Sequence, residues 1–287
     1  MMELHKKLFL GALLCANSFS AFATQELIVW DRLKDNPVAY KILELALDRT
    51  VASHGAYRLV SSRKMEQDRA VIQLTQNEAI DIANFAPDAE REKKLLPIRI
   101  PVTQGLLGYR VCLINKNSQS KFDGIQSLDS WRNRGLKIGQ GKGWPDTSIL
   151  EANDLSVVKS PKYSPLFAML KKGRFDCFSR SISELMPELI NNPALTLEEN
   201  TLLVYRLPTF FFVSKKAPDL ANRIEQGLLM AYEDGSVANL LHTHYQTVFT
   251  TMNISKRTLI HLDNPYLTEE TKAALNQFNH WLDIKAY

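Results

Sequence analysis

The stretch LIVWDRLKDNPVAYKILELALDR, residues 27–49, sets the architecture of the chain. Leu27 to Trp30 is a short apolar run that reads as a buried strand. Asn36-Pro37 then opens a helix, because an Asx side chain caps free amides and proline tolerates the first helical position; Val38, Ile42, Leu45 and Arg49 follow about one turn apart. Outward from there, Tyr57 to Ser61 alternates like a strand, Met65 to Gln76 reads as a helix and Ile80 to Phe85 as a third strand. A βαβαβ order predicts a mainly parallel sheet covered by helices on both faces.

The middle of the chain repeats this logic. Ser127 starts a helix containing Trp131, Leu136 to Gly139 is a strand, and Pro145 sits near the next helix start. Ser164 is read as an N-cap ahead of Pro165, with Gly173 closing the helix. Phe175 to Ser179 is a strand, and Ser181 with Glu184 reads as a capping box. From Leu202 through Tyr205 to Val213 the chain is β-rich and long enough to cross between lobes; Pro218-Asp219 opens a helix carrying Leu220, Ile224, Leu228 and Ala231 on one face. The last helix is expected from Thr268 to the end of the chain, with Ala274, Leu275, Phe278 and Leu282 on one stripe.

Residues 1–23 read as a cleavable secretion signal: Lys6 and Lys7, an apolar run from Leu8 to Leu14, then Ala21-Phe22-Ala23 with cleavage after Ala23. The apolar run is far below the roughly 20 residues of a spanning helix. Cys15 follows Leu14 rather than a small residue, which argues against a lipoprotein and for a freely diffusing periplasmic protein. Cleavage removes Glu3, Lys6 and Lys7, so the formal charge falls from +4 to +3. The basic residues are scattered, with no nucleic-acid footprint. Cys112 and Cys177 remain, without metal-ligand or Cys-x-x-Cys spacing. An oxidising compartment permits them to pair; the reading favours two buried thiols.

In this order and spacing the chain resembles the type 2 periplasmic solute-binding proteins, in particular the amino-acid-binding branch that serves ABC transporters. The carriers are the first strand ending at Trp30-Asp31, Glu90-Arg91-Glu92 before Leu95 to Pro101, Gly105-Leu106-Leu107-Gly108-Tyr109-Arg110, the strand Leu136-Lys137-Ile138-Gly139 with Gln140-Gly141, Gly173-Arg174-Phe175-Asp176, and Asp234-Gly235-Ser236. The resemblance implies two α/β lobes, each a mixed sheet flanked by helices, joined by two hinge crossings. It divides the chain into 24–107 plus 209–287 for lobe one and an inserted lobe two at 108–208. A ligand would lie between them, enclosed by hinge motion.

It also implies site residues. Arg91, in Asp88-Ala89-Glu90-Arg91, stands where the family's carboxylate-gripping arginine stands, although Asp88 replaces the usual threonine; an exposed arginine pairing with Glu90, Glu92 or a neighbouring helix is the competing reading. A guanidinium suits a carboxylate because its planar fork matches two oxygens. The glycine-rich Gly139 to Pro145 segment offers backbone amides, with Lys142 adding charge and Trp144 a stacking surface. Arg180 or Ser181 stands where relatives place an aspartate for the ligand ammonium, so an anionic ligand is expected if Arg180 faces the cleft. Trp30 could stack on a ligand, and Asp31 ends the first strand, the usual crevice position.

The expected function is capture of a small, carboxylate-bearing solute for ABC-type import, by a monomer that works with an inner-membrane transporter. A sensory module reporting to a membrane receptor is the alternative. No cofactor or metal is implied. Gly-x-Ser-x-Gly and His-Glu-x-x-His are missing, and His242-x-His244 has the wrong spacing for one helix face; an enzyme reading would rest on Asp31 or Asp146 alone.

Overall fold

The computed structural model describes residues 24–284; the expected secretion signal lies outside the described residues. The first lobe begins β1 (Gln25–Val29), α1 (Pro37–Arg49), α2 (Val51–His54), β2 (Tyr57–Ser61), α3 (Gln67–Gln76), β3 (Ala83–Phe85), α4 (Ala89–Lys94) and β4 (Leu95–Ile98). The second runs through β5 (Tyr109–Asn115), α5 (Leu128–Arg134), β6 (Lys137–Gly141), α6 (Pro145–Ala152), β7 (Ser156–Ser160), α7 (Ser164–Lys171), β8 (Cys177–Ser181), α8 (Leu185–Asn191), β9 (Leu195–Leu197) and β10 (Thr201–Val204). The chain then adds β11 (Phe210–Ser214), α9 (Pro218–Glu233), α10 (Ser236–Thr251), β12 (Thr258–His261) and α11 (Glu269–Gln277).

The opening helix forms as its sequence dictates. Asn36 accepts a hydrogen bond from the Ala39 amide at 3.1 Å, and Val38, Ile42, Leu43, Ala46 and Leu47 are buried. Its buried face meets α9 at Gly227, where any Cβ would collide with the Ala46 carbonyl, so only glycine allows the helices this close.

The first lobe holds the parallel pair β1–β2 and an antiparallel sheet ordered β3-β11-β4. The expected third parallel strand is reduced to a single bridge, Val29 to Ile82, before the chain turns into β3. The second lobe is one mixed sheet ordered β12-β10-β5-β8-β6-β7, with β9 also on β5. β12 comes from the stretch expected in lobe one, yet it pairs in parallel with β10. One core joins Leu43 and Leu228 to Leu170, Phe178 and Leu185 of the second lobe, and α10 contributes Val237, Leu241, Tyr245 and Phe249 to it.

The two crossings are hydrogen-bonded to each other: Val102 N donates to Thr209 O at 2.9 Å, and Tyr205 N to Gly108 O at 3.1 Å. Gly105 turns the first crossing at φ +78°, and the Trp281 ring lies where a side chain would stand. Beside it, Leu282 N donates to Gln104 O and Tyr109 Oη donates to Leu282 O at 3.1 Å. Farther out, the buried Glu92 carboxylate accepts from Arg99 Nη2 at 2.8 Å, Thr268 Oγ1 at 2.9 Å and Thr271 Oγ1 at 2.8 Å.

Four local expectations need correction. Cys112 and Cys177 form a disulfide between neighbouring strands β5 and β8, not two thiols; their Cα atoms are 4.9 Å apart, within the bonding range. Ser164 is the first residue of α7, with Tyr163 at the cap and no side-chain cap bond. Ser181 does not cap α8, whose N-cap is Glu184; its hydroxyl instead donates to Leu106 O at 3.2 Å, tying β8 to the first crossing. The last helix stops at Gln277, and Phe278 and Leu282 lie beyond it in an extended stretch against the hinge.

Candidate functional site

A cavity of about 280 Å³ lies between the lobes, with Gln67, Asp88 and Arg91 on one wall and Gly143, Trp144 and Ser148 on the other. Leu207 of the second crossing and Tyr266 complete it. Of the six residues the sequence singled out, the cavity brings together Arg91 and Trp144.

Arg91 is positioned by the start of α4. Asp88 caps that helix by accepting from Arg91 N at 2.7 Å, and its second carboxylate oxygen pairs with Arg91 Nη1 at 3.0 Å. Nη1 also donates to Ala86 O, and the guanidinium lies 5.0 Å from the Phe85 ring. The side chain is 11% exposed, and Nε is buried without a hydrogen-bond partner. Burial lowers its pKa, against the opposing pull of Asp88 and Asp68. A guanidinium with unused donor capacity beside a cavity can accept an added carboxylate.

Trp144 lies back over Gly141, where a Cβ would strike the indole. It stacks on Phe178 with ring centroids 6.3 Å apart and tilts against Tyr163 at 6.1 Å. Gly141 therefore makes room for the indole.

The other four are placed elsewhere. Trp30 is core rather than stacking surface: it is 7% exposed, packs on Phe85 at 5.0 Å and donates from Nε1 to Met65 O at 3.2 Å. Asp31 is engaged in structure, its Oδ1 accepting from Met65 N at 3.2 Å and its amide donating to Ser62 Oγ at 3.1 Å. Lys142 is exposed on the loop and does not line the cavity; its amide donates to Ser160 O at 2.7 Å. Arg180 is held by Glu188, with Nε donating at 2.9 Å and 3.0 Å, and pairs through Nη2 with Glu184 at 3.1 Å. The positive charge expected from it is therefore neutralised within the wall.

A buried polar network behind that wall was not visible in the sequence. Arg110 pairs with Asp146, donates from Nε to Tyr205 Oη at 3.1 Å and reaches Glu184 at 3.4 Å. Tyr205 donates to Asp146, and burial is the largest cause of its raised pKa. Asp146 is thus a partner of Arg110 rather than a free carboxylate. The available signals were an arginine leading into the apolar run Val111 to Ile114, and the spacing of four that separates Arg180, Glu184 and Glu188.

The chain matches no protein-family model and no curated protein in sequence. Its fold does match solved structures. A probable amino-acid ABC transporter extracellular-binding protein from Bacillus subtilis aligns at TM-score 0.56 and 16% identity, covering 77% of this chain and 97% of that one. An ancestral arginine-binding protein bound to glutamine aligns at TM-score 0.52 and 18% identity, covering 77% and 98%. An amino acid ABC transporter substrate-binding protein from Streptococcus pneumoniae, bound to L-arginine, aligns at 0.52 and 16%, covering 76% and 92%. With the crossings and the inter-lobe cavity, these alignments show that the chain shares the two-lobed α/β fold of those binding proteins.

Proposed function

We propose that this protein is an exported solute-binding protein that captures a small amino acid in the inter-lobe cavity and presents it to an inner-membrane ABC transporter. The observation that carries the reading is Arg91, whose buried Nε has no partner and whose side chain lines the cavity opposite Trp144. Arg91 holds the carboxylate; Asp88 beside it accepts from an ammonium; the indole covers the apolar part. This replaces a purely anionic ligand with a zwitterion, because Arg180 is matched by its own carboxylates and Lys142 does not line the cavity. The related folds bind glutamine and arginine by name, which supports an amino acid. The Cys112–Cys177 disulfide supports an oxidising compartment such as the periplasm.

The test is a thermal-shift screen of the common amino acids and dicarboxylates on the protein lacking residues 1–23. A ligand at 100 times its Kd adds about 2.7 kcal/mol. An amino acid should stabilise the wild type and lose most of that effect in Arg91→Ala. Equal stabilisation of both proteins rejects the site, and a response to dicarboxylates alone rejects the zwitterion.

A further inference from the structure

Arg180 is surrounded as a bound ligand would be. Its guanidinium lies 5.0 Å from the Trp144 ring, 5.3 Å from Phe178 and 5.5 Å from Tyr163. Glu188 contacts it at 2.8 Å and Glu184 at 3.1 Å, and Tyr163 Oη donates to Glu188 at 2.6 Å, fixing that carboxylate. The side chain is 8% exposed. Aromatic faces and paired carboxylates are the groups that recognise a guanidinium compound in solution, the rings through their quadrupoles and the carboxylates through charge-assisted hydrogen bonds.

We propose that Arg180 is a built-in occupant of a cation subsite, and thereby a specificity-determining residue that closes the cleft to ligands with a guanidinium or ammonium side chain. This rests on the solute-binding reading, because Trp144 belongs both to the cage and to the inter-lobe cavity. An incoming cation would have to displace Arg180, leaving that charge buried and unpaired. It would also approach Arg110, which already shares Glu184. Removing Arg180 reverses the balance: Glu184 and Glu188 are left with Arg110 as their nearby cation, and the three rings enclose an empty space of guanidinium size.

The experiment titrates wild type and Arg180→Ala with methylguanidinium chloride, against sodium chloride at equal ionic strength, following Tm and tryptophan fluorescence. Arg180→Ala should melt below wild type and recover Tm saturably with methylguanidinium, while wild type does not respond. Adding Glu188→Gln to Arg180→Ala should weaken the recovery roughly tenfold or more, as expected for loss of a charged hydrogen-bond acceptor. A folded Arg180→Ala that shows no recovery, or a wild type that responds equally, overturns the proposal.

If Arg180→Ala folds only with methylguanidinium present, that recovery supports the proposal; if it folds under neither condition, the wild-type ligand ranking decides. Neutral or acidic amino acids should bind wild type at least roughly tenfold more tightly than arginine or lysine. Tightest binding of arginine or lysine overturns the proposal. A wild type that binds no amino acid at all rejects the amino-acid reading instead, and the methylguanidinium titration reads the cage without it.

Discussion

Each wall of the cleft carries an arginine beside an aromatic ring, and the two are in opposite states. On the first lobe, Arg91 lies over Phe85 with one carboxylate partner and an unused Nε. On the second, Arg180 has two carboxylates and three rings, and Arg110 behind it has Asp146, Tyr205 and part of Glu184. The residue type is the same, so the charge a wall offers is decided by the acceptors packed around it. On the proposed reading the first wall takes up the ligand's carboxylate, whereas the second already supplies three carboxylates to its own two arginines.

That contrast can be broken most severely in the second wall. Asp146→Ala leaves Arg110 buried without its principal partner and should destabilise the protein by about 3–5 kcal/mol in urea denaturation. A loss below about 1 kcal/mol would mean that the wall does not depend on its internal pairing. Replacing both cysteines in Cys112→Ser/Cys177→Ser removes a link spanning 65 residues and should destabilise by about 4 kcal/mol, with the wild type falling to the same value in reductant.

In the first wall the effect should move from stability to affinity. Arg91→Ala should weaken amino-acid binding about tenfold to a hundredfold, measured by calorimetry, the size of one charged hydrogen-bonded contact. Its effect on unfolding should stay near 1 kcal/mol, because the Arg91 amide keeps its bond to Asp88. The smallest effect belongs to Lys142→Ala, exposed and outside the cavity: within about 0.5 kcal/mol in stability and no change in affinity. A clear loss of affinity there would return Lys142 to the site and restore an anionic ligand.

Local punctuation made most of the fold readable. Asn36-Pro37, Ser127, Pro218 and Thr268 start helices where their chemistry says they should, because a cap or a proline needs only its near neighbours. Ser164 and Ser181 misled for a related reason: hydroxyls favour several local bonds, and the fold gave Ser181 a partner 75 residues away in Leu106. The α10 helix could have been found from Val237, Leu241, Tyr245 and Phe249 at steps of four. β12 could not, since four residues with one partner strand take their form from a distant pairing. Of the two residues that line the cavity, Arg91 was singled out by the resemblance and Trp144 by its place beside loop glycines. Trp30 was not separable from a cleft residue, because a core indole and a stacking indole look alike until their neighbours are known. The Arg110–Asp146 and Cys112–Cys177 contacts join residues 36 and 65 apart, which spacing alone does not specify.

The Glu92 cluster bears on the order in which such a chain can be completed. Its hydroxyl partners Thr268 and Thr271 lie 176 and 179 residues downstream, beyond every strand of the second sheet. A chain that emerges N-terminus first exposes this carboxylate early and supplies its hydroxyl partners late. Polypeptides cut short before Thr268 would carry an intact second-lobe disulfide and yet leave the Glu92 carboxylate with Arg99 alone, without its two hydroxyl donors, which makes premature termination a fault of the older half of the molecule rather than the newer one.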